Sequence, residues 1–188
     1  MMFNKPDPQR LLQVGPDRAC AEWVLRNGGK VVWANGQSLA DYNNLPPEDE
    51  IQQKLIEIDG TDSSISHYGF PHLSNILNIL FFISCFSINF KNTTFLEGCS
   101  KLERVILHNS KYIDDRAMKG LSYGKETLLH VQVSRCPNIT DDGLKELTVL
   151  SKLQKLILFD LQSVSDLHKC KEYLKSQLPQ CSVKGNVK

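Results

Sequence analysis

The 188-residue chain carries 22 Lys plus Arg against 21 Asp plus Glu, a formal net charge of +1, and 41% of its residues are apolar. That balance excludes a global field of the kind that draws proteins to nucleic acid, and the length suits one or two domains with a real core. Six cysteines (Cys20, Cys85, Cys99, Cys136, Cys170, Cys181) show neither C-x-x-C nor zinc-ligand spacing, so they are read as thiols of a reducing compartment.

The start, Met1 to Pro8, has no apolar signal core and is not an Arg- and Ser-rich, acid-poor presequence. Asp7 to Val14 reads as a short helix. Gly15-Pro16-Asp17-Arg18 opens a second, with Pro at the first turn, where it costs no hydrogen bond. Cys20/Val24 and Ala21/Leu25 are spaced four apart on it, with Trp23 between them. Asn27-Gly28-Gly29 ends it, because Gly accepts the left-handed conformation of a C-cap. Lys30 to Trp33 reads as a strand, and Asn35-Gly36 as a two-residue hairpin turn with both residues at positive φ. Asn43 to Glu50 reads as a linker. Residues 1–50 are thus expected to form a small α+β capping domain over the exposed apolar end of residues 51–188.

Residues 51–188 repeat one pattern. Leu102-x-x-Val105-x-Leu107, Leu128-x-x-Val131-x-Val133 and Leu153-x-x-Leu156-x-Leu158 place apolar residues at the same offsets, and the period is 26, then 25 residues. This predicts an α/β leucine-rich repeat solenoid with a helix after each strand. Alternate strand residues point inward, Thr140-Asp141-Asp142 can cap a helix, and Leu144 and Leu147 give that helix a buried stripe. Such stacks present surfaces, which favours binding over catalysis. Charge is uneven along the chain: residues 1–73 hold 6 basic and 10 acidic residues, and residues 151–188 hold 7 and 3. The polarity can orient a partner, although ordinary solvated helix faces are the favoured reading.

An earlier strand, Ile56 to Asp59, stands 49 residues before Val105. Removing Ser74 to Leu96 restores a 26-residue register, so residues 74–96 read as an insertion of the kind a translated intron leaves. An extra degenerate unit (Leu77, Leu80, Phe82, Cys85, Ile88) is one rival. A membrane span is another, weakened because Asn78, Ser84 and Ser87 interrupt the apolar run.

No nucleophile elbow, P-loop, H-E-x-x-H or dinucleotide fingerprint is present, and His67, His72, His108, His130 and His168 share no spacing. Asp114-Asp115 and Asp141-Asp142 read as equivalent helix starts, with capping favoured over catalysis. Asp59-Gly60-Thr61-Asp62 clusters oxygen donors on a glycine turn. A hard cation such as Mg²⁺ uses such donors, and a plain turn is the simpler reading.

Phe3-Asn4-Lys5, Val14-Gly-Pro-Asp-Arg-Ala19, Glu22-Trp23, Asp41-Tyr42-Asn43, Ile58-Asp59-x-Thr61-Asp62-Ser63, Gly69-Phe70, Asn138-Ile139-Thr140-Asp141 and Leu178-Pro179 closely resemble the mitochondrial coupling factor B family. The resemblance spans nearly the whole chain except residues 74–96. It implies an N-terminal domain followed by leucine-rich repeats, on a protein without enzymatic activity. It further implies a peripheral place on the matrix side of the inner membrane, with ATP synthase membrane-sector subunits as partners and a role in coupled proton conduction. It also implies a bound Mg²⁺ whose ligands fall on Gly28 and Thr61. His108 and Ser110 stand where members carry a cysteine pair, and the family's presequence is missing, which implies a truncated start. Two other readings remain. One is an assembly factor for the distal membrane arm of respiratory complex I. The other is a cytosolic F-box-type adaptor, disfavoured because residues 1–50 lack a helical bundle of that size.

Overall fold

Ile58, Val105, Val131, Leu156 and Val183 lie side by side, each paired with the next in parallel register. The computed structural model describes residues 4–48, 53–74 and 98–185. Its strands are β1 (Lys30–Trp33), β2 (Ser38–Leu39), β3 (Leu55–Asp59), β4 (Arg104–His108), β5 (His130–Ser134), β6 (Lys155–Phe159) and β7 (Ser182–Gly185). They form one seven-stranded sheet in the order β2-β1-β3-β4-β5-β6-β7. β1 runs antiparallel to β2 and β3, and the other pairs are parallel. The architecture is mixed α/β with a mostly parallel sheet.

The helices among the described residues are α1 (Pro8–Arg26), α2 (Asp115–Gly120), α3 (Asp141–Glu146) and α4 (Leu167–Gln177). α2 packs on α3 and α3 on α4, all on one side of the sheet. Inward strand residues Val105, Leu107, Val131, Val133, Leu156 and Leu158 are buried against Met118, Leu144, Leu147 and Leu174. β3 is followed by a 3-10 helix, His67–Leu73, and not an α-helix. Pro71 explains this, since it removes a backbone donor from the segment. The N-terminal piece behaves as its Gly-Pro step implies. Asp7 caps the first part of α1, accepting from the N–H groups of Gln9 and Arg10. Gly15 then breaks the helix with φ 77 and ψ 168. The second part is pinned to the sheet by buried Asp17, which accepts from Leu55 N and Lys54 Nζ at 3.0 Å each.

Two expectations need correction, and a third lies outside the described residues. The residue of β3 in register with Val105 is Ile58, and the inward residues of that strand are Leu55 and Ile58, so the count from Ile56 is two residues off. β3 bonds directly to β4. Residues 75–97, almost all of the segment read as an insertion, lie outside the described residues, and Ser74 at its start is buried. The hairpin after β1 is not a two-residue turn. Gly36 N donates to Trp33 O at 2.8 Å and Trp33 N to Gln37 O at 2.9 Å, which makes Ala34-Asn35-Gly36 a three-residue loop. Gly36 sits at φ 85, and Asn35 is not in the left-handed region. This is the type I turn with a following left-handed residue that three-residue hairpins use.

A regularity with no glycine signal ends each unit strand. Asp62, Asn109, Arg135 and Asp160 have φ of 54, 51, 51 and 50. The first three donate their N–H to the next strand's end, at His108 O, Ser134 O and Phe159 O. Asp and Asn tolerate this region because their short polar side chains bond locally; Arg135 is tied to Asp160 by an ion pair at 3.4 Å.

The turn assignment predicts that Gly36→Val lowers stability by about 1–3 kcal/mol, the cost of a strained left-handed residue. Asn35→Ala should cost about 1 kcal/mol or less, for one lost side-chain acceptor, since Asn35 only receives the N–H of Gln37. Urea denaturation of both variants checks the order; equal losses would restore the two-residue turn.

Candidate functional site

Strand alternation that sends Val105 and Leu107 inward sends their neighbours to the face that no described helix covers. Sheet register arranges these neighbours in rows. One runs Glu57, Arg104, His130, Lys155, Ser182, and the next Asp59, Ile106, Gln132, Ile157, Lys184. A third holds His108, Ser134 and Phe159. Across β4 to β6 the first two rows line a shallow groove of about 290 Å³, floored by Ile106 and Ile157 and flanked by Arg104, His130, Gln132 and Lys155. Arg104 pairs with Glu57. Ser134 Oγ meets His108 Nδ1 at 2.8 Å and accepts from Gln132 Nε2 at 3.1 Å. Carboxylates sit at the β3 end and exposed lysines on β6 and β7. Of the sequence's acidic start only Glu57 and Asp59 lie in these rows, and of its basic end only Lys155 and Lys184.

The turn after β3 is the second feature. Asn27 O, at the C-cap of α1, accepts from Ser64 N at 2.9 Å and Ser64 Oγ at 3.2 Å. Asn4 Nδ2 donates to Asn27 Oδ1 at 3.0 Å, while its Oδ1 accepts from Trp23 Nε1 and Ser66 N. This buried clasp joins the loop bearing Gly28 (φ 79) to the turn bearing Thr61. On that turn, Asp59 Oδ1 accepts from Thr61 N at 2.9 Å, and Asp62 Oδ1 from Asn109 Nδ2 at 2.6 Å. Among the described residues, no group of three or more His, Cys, Asp or Glu side chains is placed to hold a metal. Gly28 and Thr61 thus lie on segments that one clasp joins, and Asp59 Oδ1 and Asp62 Oδ1 on the turn already accept N–H groups.

The acidic pairs are not equivalent member for member. Asp114 and Thr140 are the N-caps of α2 and α3, and Asp115 and Asp141 each stand one residue inside. Each of these reaches into the next unit. Asp115 accepts from Thr140 N and Oγ1 at 2.8 and 2.6 Å, and Asp141 from Ser165 N and Oγ at 2.9 and 2.8 Å. Gly143 leaves room for the first clamp, since a Cβ there would come within 2.1 Å of Asp115 Oδ1. The Ser165 N–H, more than any other contact, holds Asp141 well below the usual carboxylate range.

The five described cysteines are free and buried; Cys85 lies outside the described residues. Burial, then the Asp141 carboxylate, pushes Cys170 up to about 12. Cys20 on α1 meets Cys99 in the approach to β4, and their thiol hydrogen bond and burial raise Cys99. Distant in sequence, this pair has no spacing signal. Ser110 is buried, donating to Gly60 O at 2.7 Å. His72 stacks on Trp23, and burial lowers its pKa to about 4, so it is a neutral core residue.

These features define a class: an α/β protein with one helix-covered sheet face and one face that no described helix covers. No helix among the described residues is long and apolar enough to cross a membrane. No protein-family model matches the chain. Over its whole length it is 34% identical to the proteins named mitochondrial ATP synthase subunit s of rat and mouse, covering 84% of each, and 33% identical to that of human, again covering 84%. The chain belongs to the ATP synthase subunit s family, also called coupling factor B.

Folding lowers the pKa of Asp141, so its stabilisation is complete above the unfolded value of about 3.9 and is lost as pH falls below it. Asp141→Asn should therefore destabilise by about 1 kcal/mol at neutral pH, for weakened hydrogen bonds. Thermal melts should show the gap closing towards pH 3; a gap independent of pH would remove the clamp.

Proposed function

We propose that this chain is a non-enzymatic component of mitochondrial ATP synthase that supports coupled proton conduction by presenting its open sheet face to membrane-sector subunits. The observation that carries this reading is full-length identity of 33–34% to proteins named for that complex. The architecture supports it: seven strands build a broad face, and no described helix spans a membrane. A peripheral position on the matrix side of the inner membrane follows from the same reading. Units of 26 and 25 residues between Val105, Val131 and Leu156 support a leucine-rich repeat solenoid over residues 51–188. Residues 1–50 would be its cap, through α1 and the β1–β2 hairpin.

We include Mg²⁺ in this reading, held by the Gly28 carbonyl and Thr61 oxygen and otherwise by water. When bound, the ion would add positive charge at the acidic end of the face, and Asp59 and Asp62 would orient its waters.

Native electrophoresis of mitochondrial membranes tests the partner. Tagged protein should co-migrate with ATP synthase, and its depletion should lower oligomycin-sensitive respiration. Co-migration with complex I intermediates instead, or recovery in the cytosol, would overturn the assignment. The ion is tested separately. A ligand that binds the folded form alone stabilises by about 2.7 kcal/mol at one hundred times its Kd, so millimolar MgCl₂ should raise Tm and a chelator should reverse it. Thr61→Val should abolish the shift; an Mg²⁺ response unchanged in Thr61→Val, or no response at all, removes the site.

A further inference from the structure

We infer that the face across β4 to β7 takes an acidic segment of the partner, with carboxylates on Lys155 and Lys184 and apolar side chains on Ile106 and Ile157. The inference rests on the docking role proposed above and specifies its chemistry. In the three rows of this face, the strands from β4 to β7 contribute no carboxylate at all. The carboxylates of the rows are Glu57 and Asp59, both on β3. Glu57 is taken by Arg104, and Asp59 accepts from Thr61 N. Lys155 and Lys184 are exposed, and their ammonium groups have no partner among the described residues. Register sets Lys184 beside Ile157, two residues beyond Lys155 on the neighbouring strand. One strand spacing of about 4.8 Å and a rise of about 6.7 Å put the two lysine positions roughly 8 Å apart. Like charges so placed repel, and a carboxylate set between them relieves the repulsion.

Beside the lysines the surface dips into the groove of about 290 Å³ floored by Ile106 and Ile157. Both isoleucines are only half-buried, so an apolar side chain entering the groove removes further apolar surface from water. An anionic membrane would meet the same two lysines. A bilayer surface is broad, however, and does not follow a recessed floor. It would also lie over Glu57 and Asp59 at the other end of the rows. A chain segment carrying separate carboxylates and apolar side chains meets both features, and the charge match fixes its position on the face.

The probe is a short fluorescein-labelled peptide repeating Glu-Leu-Ser, with one control carrying Gln for Glu and another Ala for Leu. Fluorescence anisotropy with the full chain should show the Glu peptide binding about tenfold more tightly than the Gln control, two exposed ion pairs being gained. In a chain carrying Lys155→Glu and Lys184→Glu the preference should vanish, with circular dichroism showing the fold retained. Lys119→Glu with Lys175→Glu makes the same change of net charge on exposed helix positions and should leave the preference intact. Replacing Leu by Ala should weaken binding to the native chain, and Ile157→Ser should cancel that difference. Equal binding of the Glu and Gln peptides, or equal losses in the two double variants, overturns the inference. So does binding to vesicles of phosphatidylcholine with cardiolipin, dependent on Lys155 and Lys184, in place of the peptide. The peptides contain no part of ATP synthase. Loss of co-migration with that complex therefore fails the functional assignment alone, and failure of the peptides fails this inference alone.

Discussion

No unit of this protein can cover its own apolar side, and the parallel register of Ile58, Val105, Val131, Leu156 and Val183 is how each covers the next. Burying a side chain of this kind stabilises by about 1.5–3 kcal/mol, against about 1 kcal/mol for a hydrogen bond. Stability therefore resides in the leucine and valine stack, and the polar links set its geometry. The carboxylates of Asp115 and Asp141 hold successive helix starts at a fixed step. At the start of the strand-to-helix connections, Asp62, Asn109, Arg135 and Asp160 turn the chain at equivalent points. Together they keep side chains one strand apart in straight rows on the open face.

The stack must end somewhere, and the N-terminal piece shows how. α1 lays Cys20, Val24 and Trp23 over the first unit, while β1 and β2 extend the same sheet by antiparallel pairing. Buried Glu22 fixes the roll of α1. Burial pushes its pKa up, yet hydrogen bonds from Arg10 and Arg18 more than offset this and keep it a carboxylate. Such a buried ionic group is weak evidence for net stability and better understood as setting orientation. Asn4, reaching Trp23, Asn27 and Ser66, ties the beginning of the chain to the end of α1 and to the loop after β3.

Much of this was legible because it is local. Apolar offsets placed β4, β5 and β6, Gly15-Pro16 placed the break in α1, and Asn27-Gly28 placed its end. Features that depend on tertiary pairing were not. The two-residue error at β3 arose because Leu55 and Ile58 are inward with two residues between them, which breaks strict alternation. The Asn35-Gly36 dipeptide favours a turn without revealing that Ala34 joins the loop. Asp115 and Asp141 looked like caps because their reach into the next unit exists only after stacking. The opposed thiols of Cys20 and Cys99, 79 positions apart, have no sequence periodicity at all. For the site, sequence supplied the charge polarity, and register was needed to show which few of those charges share a face.

The central claim is that the protein works through its open sheet face. Hydroxyl-radical footprinting of the chain, free and bound to ATP synthase, tests it most directly. The account predicts protection of Ile106, His130, Ile157 and Phe159, with Val149 and Tyr173, exposed on the helix side, remaining reactive. Protection of Val149 and Tyr173 with the sheet residues unchanged would contradict it.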